Sequence, residues 1–158
     1  MTNREREAFY RSMRREERRP PELREQLRPH LRQTDDGPVV EGFACVYDVC
    51  YTCYDWPGAA TKTLTENPDV RYLVNHQGVP LGRTASNTLL LSQRDEGLWY
   101  ETSPLDMRNP NAQEISSALE RGDVDGSSFA FWVTKQMWNE DYTERTIVEF
   151  SLRDGDVS

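Results

Sequence analysis

Two side chains of this sequence are placed where they could do covalent chemistry. His76 ends a segment rich in β-branched and aliphatic residues, and Ser128 opens another after a turn containing Gly126. A serine hydroxyl is a poor nucleophile until a neighbouring base takes its proton. That base needs a third group to hold its tautomer and to stabilise the imidazolium that forms. The sequence has two histidines, and His30 falls in a charged N-terminal stretch, which leaves His76 as the base of the folded part. One histidine and one serine also occur together in many proteins that catalyse nothing. On residue type alone, enzyme and binding domain both stay open.

The three cysteines, Cys45, Cys50 and Cys53, lie close together and raise the question of a metal. Structural zinc takes roughly four ligands, usually as two pairs. The second pair is missing here, and the nearest histidine is His76. Reduced cysteines acting as small apolar residues are the expected reading, and no metal is expected.

The elements that must position His76 and Ser128 can be read from pattern. Residues 4–32 are rich in arginine and glutamate, as in Arg14-Arg15-Glu16-Glu17-Arg18-Arg19. Helix formers predict a solvated helix up to Arg19, broken by Pro20-Pro21, with a second short helical stretch over residues 21–32. Few apolar positions give either piece a face to bury, so a docking arm and a flexible charged tail are both open readings. Thr34-Asp35-Asp36-Gly37-Pro38 is turn-rich and sets the expected boundary between an arm (residues 1–36) and a folded domain (residues 37–158). Strands are expected over residues 39–47 and 70–76, then a hairpin of 88–92 and 97–102. Asn109 as N-cap, Pro110 in the first turn and Gly122 beyond the last predict one helix, with Ala112, Ile115, Ala118 and Leu119 on its apolar face. A buried strand over 128–133, a turn at Asn139-Glu140-Asp141 and a strand over 143–152 follow. Strands outnumber helices, so the expected class is α+β, mainly β, as a small β-barrel or orthogonal sheet with flanking helices.

Composition narrows the function classes. A formal net charge of −8 disfavours wholesale binding to nucleic acid or an anionic membrane. No apolar run reaches the about 18 residues that span a bilayer, and no signal-peptide apolar segment is seen at the N-terminus. A cytosolic protein is expected. No phosphate-binding glycine loop and no dinucleotide fingerprint is present.

Asn75-His76-Gln77-Gly78-Val79-Pro80-Leu81-Gly82-Arg83 resembles the histidine motif of the prohead (capsid-maturation) serine proteases of tailed bacteriophages. There a histidine is followed closely by proline, an aliphatic residue, glycine and arginine. Asp95-Glu96-Gly97-Leu98-Trp99-Tyr100-Glu101 is similar to that family's hairpin. Gly122-Asp123-Val124-Asp125-Gly126-Ser127-Ser128-Phe129-Ala130-Phe131 is similar to its serine motif, and Val40-Glu41-Gly42-Phe43-Ala44 to its opening strand. The four blocks stand in the family's order.

The resemblance implies His76 as the base and Ser128 as the nucleophile. Ser128, not Ser127, directly precedes the hydrophobic, small and phenylalanine triplet; Ser127 is read as a turn residue helping to cap the strand. Arg145-Thr146-Ile147-Val148-Glu149 and Asp156-Val157-Ser158 resemble the two ends of the family's last motif. They imply Asp156 as the third member, with Glu149 as the alternate. Asp154-Gly155 reads as a bulge that shifts register, and alternation alone leaves open which carboxylate faces inward. The family pattern runs on into a Pro-Ala-containing tail, which this chain is expected to lack. The implied fold is a β-barrel ringed by helices, like that of the herpesvirus assembly protease. The implied function is a serine endopeptidase that cleaves scaffold and major capsid protein inside the immature prohead, in the bacterial host cytoplasm. The resemblance implies no cofactor, allows a homo-oligomer, and involves neither direct nucleic-acid contact nor a membrane. Arg153 and Arg83 are its candidates for help at the oxyanion. The alternative is a catalytically inactive, protease-like scaffold or assembly protein.

Overall fold

The computed structural model describes residues 22–26, 28–48 and 54–158, the first of these as backbone. The helix expected over residues 4–19 lies outside them, as do Cys50 and Cys53. The described chain is mainly β. In order it runs β1 (Glu22–Gln26), β2 (His30–Thr34), β3 (Gly37–Val46), β4 (Tyr54–Asp55), α1 (Thr61–Thr65), β5 (Arg71–Val74) and β6 (Gln77–Arg83). A 3₁₀ turn at Thr84–Ser86 precedes β7 (Leu89–Gln93), β8 (Gly97–Thr102), α2 (Pro110–Arg121), β9 (Ser127–Trp138) and β10 (Arg145–Val157).

Among the described residues these strands form two sheets, not one closed barrel. One is six-stranded with the path β1-β9-β10-β5-β6, and β4 pairs with the far end of β10. The other is four-stranded in the order β2-β3-β8-β7. Between β6 and β7 the 3₁₀ turn and left-handed Asn87 (φ 57°) carry the chain from one sheet to the other. A turn this tight redirects the backbone before a ladder between β6 and β7 can form.

The helical stretch expected over residues 21–32 is β1 and β2 instead. β1 pairs with β9 and β2 pairs with β3, and Asp35-Asp36, expected in a linker, is the turn of the β2–β3 hairpin. An arginine- and glutamate-rich segment has good helix propensity but no apolar face to bury. The open edges of β3 and β9 offer it backbone partners, and that context decides.

α2 follows its sequence signals. The Asn109 side chain accepts a hydrogen bond from the Asn111 N–H at 3.0 Å, and Gly122 closes the helix at φ 77°. Ala112, Ile115 and Leu119 bury their face against the core. β9 alternates: Phe129 and Phe131 turn to the core with ring centroids 4.4 Å apart, and Phe150 of β10 packs at 5.4 Å from each. Each such ring contributes roughly 1.5–3 kcal/mol by burial. This cluster makes the pairing of β9 with β10 a rigid base for whatever their opposite face carries.

Candidate active site

Ser128 and Asp156 come from the adjacent strands β9 and β10, and His76 from the turn that follows the next strand, β5. The sheet order β9-β10-β5 sets the end of β10 between the start of β9 and the hairpin that follows β5. Successive residues of a strand face opposite ways. Ser127, Phe129 and Phe131 turn to the core and are buried, so Ser128 turns to the other face and is partly exposed. Opposed residues of paired strands share a face, and Asp156 is opposed to Ala130. Asp156 therefore joins Ser128 on that face, while its neighbour Val157, opposed to Phe129, joins the core.

A bulge makes that placement. Ser151 is opposed to Trp132 but Asp156 to Ala130, so β10 spends five steps where β9 spends two. The odd difference inverts parity: Phe150 and Leu152 face the core above the bulge, and Val157 below it. Asp154 takes the left-handed conformation (φ 56°), and a Cβ on Gly155 would collide with the Ala130 carbonyl oxygen. The register shift expected at Asp154-Gly155 is thus present, and it turns Asp156 away from the core.

His76 does not end a strand, as its sequence context suggested. β5 stops at Val74, and Asn75 and His76 form the two-residue turn into β6, with φ of 51° and 56°. Two successive positive φ values are what a type I′ hairpin turn requires. The turn is also tied down, because the His76 N–H donates to Ser158 Oγ at 3.2 Å.

The three side chains are joined by hydrogen bonds. His76 Nε2 lies 3.0 Å from Ser128 Oγ, and His76 Nδ1 is in short contact with Asp156 Oδ1. A carboxylate only accepts, so Nδ1 carries the proton and Nε2 is left free to accept from the serine hydroxyl. The imidazole and the carboxylate are 19% and 16% exposed, enough to meet a substrate and shielded enough to strengthen their attraction. His76 and Ser128 border a cleft of about 520 Å³, walled by Tyr72, Ile115, Leu119, Val124 and Pro29.

Glu149, the alternate third member, is engaged elsewhere. It accepts from Thr134 at 2.9 Å, Lys135 at 3.2 Å and Lys62 at 3.3 Å. Burial pushes its carboxyl up, but the hydrogen bonds from Thr134, Lys135 and Lys62 outweigh this and hold it below its ordinary value. Arg83 forks onto Asp69 at 2.7 and 2.5 Å, and Arg153 is exposed; neither borders the cleft. Cys45 is buried, with Sγ donating to Asp55 Oδ2 at 3.0 Å.

Two residues of the site carried no clear signal in the sequence. Ser158 exchanges both backbone hydrogen bonds with Ser128, at 2.7 and 2.8 Å, besides receiving the His76 N–H. Ser127 is the buried first residue of β9 and not a turn residue. Its Oγ bonds to the Tyr100 hydroxyl and the Ser158 carbonyl, both at 3.1 Å. Burial pushes the Tyr100 phenol up to about 12, so it keeps its proton beneath the site. The Ser128 N–H is spent on Ser158, so a main-chain oxyanion donor has to come from another residue.

The family model of the caudovirus prohead serine proteases matches residues 26–156. The chain belongs to this family. Among solved structures, the bacteriophage T4 capsid assembly protease is similar in fold, with a TM-score of 0.54. The likeness covers 88% of this chain and 98% of that one at 8% sequence identity, so it speaks for the fold alone. Comparison with curated proteins finds no match. Membership in the prohead proteases carries the serine-protease class, and the matched span includes β2, which the sequence placed in the arm.

Proposed function

We propose that this chain is a serine endopeptidase of phage capsid maturation, with Ser128 as nucleophile, His76 as general base and acid, and Asp156 as the group that orients His76. The observation that carries the reading is the continuous hydrogen-bonded row from Asp156 through His76 to Ser128 beside an open cleft. In this reading Ser128 Oγ attacks the scissile carbonyl while His76 Nε2 takes its proton, and Asp156 stabilises the imidazolium. His76 then returns the proton to the leaving amine, which departs with the C-terminal fragment. Water, deprotonated by the same Nε2, releases the acyl group from Ser128 and restores the hydroxyl. The substrates are scaffold and major capsid protein, cut inside the immature shell in the host cytoplasm; family membership and the capsid-assembly role of the similar T4 protease support that choice.

Co-expression with the cognate major capsid protein and scaffold tests the reading. Cleavage is expected with the natural chain and is expected to vanish in Ser128→Ala and in His76→Ala. Intact capsid protein in the presence of a folded natural chain would favour a non-catalytic assembly role instead.

A further inference from the structure

Past the catalytic cleft, a second hollow of about 410 Å³ lies between the β5–β6 hairpin and α2. Val74, Asn75, Ile115 and Val124 border both, so the two are parts of one groove. On the helix side its wall is Asn111, Glu114, Ile115 and Ala118, whose helical spacing puts them on one face. On the strand side Gln77, Val79 and Leu81 alternate along β6 and share a face. Most of this wall is aliphatic, and Val79 is 70% exposed. Glu114 is its single carboxylate, exposed, and among the described residues it takes part in no ion pair.

Mechanism fixes which part of a substrate reaches this hollow. The leaving amine must approach His76 Nε2 to be protonated, so the segment that departs with it passes over the β5–β6 turn. The hollow is bordered by Asn75, Gln77 and Gly78, which flank His76, and not by Ser128. Long basic side chains lay their methylenes on apolar surface and keep the charged head in water, a shape that aliphatic walls with one carboxylate at the rim complement. An acidic side chain would meet Glu114 as a like charge.

We propose that this hollow is a substrate subsite for a lysine or arginine on the leaving-group side of the scissile bond, with Glu114 as the specificity residue. The inference rests on the endopeptidase reading above. Glu114 is exposed, so the preference is modest, about two- to fivefold in kcat/KM.

The test uses the full chain and a peptide spanning the cleavage site mapped in the co-expression experiment. The peptide is resynthesised with Lys, Leu or Glu at each of the first leaving-side positions, and p-nitrophenyl acetate, whose leaving group is a phenolate, serves as a substrate with no amino-acid residue on that side. At one position the natural enzyme should prefer Lys over Glu, and Glu114→Lys should reverse that order while p-nitrophenyl acetate turnover stays the same. An order that Glu114→Lys leaves intact, or a loss shared equally by p-nitrophenyl acetate, would overturn the subsite and leave the endopeptidase standing. No hydrolysis of any substrate by the folded natural chain would instead sink the endopeptidase reading, and the subsite with it.

Discussion

A serine hydroxyl at neutral pH holds its proton firmly, so the reactivity ascribed to Ser128 depends on what His76 can accept. The Nδ1 contact with Asp156 settles that by holding the tautomer whose Nε2 faces Ser128 Oγ. Asp156→Asn keeps the shape but can hold the wrong tautomer, and it should lower kcat by about 10³–10⁴ while KM changes little. Glu149→Gln should leave kcat within about twofold, since that carboxylate is spent on Lys62, Lys135 and Thr134; peptide hydrolysis by the two variants separates the roles. At this scale the meeting of His76 with Ser128 was legible from their surroundings in the chain. Ser158 was not, because a serine opposed to another across a ladder has no local signature. The choice between Asp156 and Glu149 was open for a related reason: alternation assigns faces only when the register is unbroken.

The register is broken, and the elements decide the outcome. The bulge between Ser151 and Asp156 puts an aspartate where parity would otherwise demand a core residue. Gly155→Val forces a side chain against the Ala130 carbonyl and should cost about 1–3 kcal/mol in thermal or urea unfolding. Deleting Asp154 shortens the bulge by one residue, inverts the parity of Asp156 and Val157, and should abolish hydrolysis. Glu149 supplies a pH dependence in the same strand pair. Its folded carboxyl titrates below the unfolded value of about 4.3, so its stabilising contacts are complete above that unfolded value and are lost as pH falls through the folded one. The difference in melting temperature between the natural chain and Glu149→Gln should accordingly be present at pH 7 and close as the pH falls through the folded carboxyl's lowered value. α2 and the β7–β8 hairpin were readable because caps, turn residues and apolar spacing act locally. β1 was not, because the edge of β9 that captures it lies far away in sequence; β2 was not, because pairing with β3, one two-residue turn away, overrides the helix propensity of its charged residues.

At the scale of the whole molecule, a two-sheet frame holds three strands side by side so that their ends meet at one cleft. The ordered motif blocks pointed to this frame as a family, while the strand count left a small β-barrel and an orthogonal sheet both as expectations. Whether strands close on one another depends on how turns such as Thr84–Ser86 redirect the chain, which composition does not record. The central claim is that this frame activates one serine. A fluorophosphonate reacts only with a serine whose proton is taken by a base, and mass spectrometry of the labelled, digested chain reads which serine reacted. A single adduct on Ser128, absent in His76→Ala and slowed in Asp156→Asn, is the predicted result. An adduct on Ser127 or elsewhere, or none on the folded natural chain, would contradict the account.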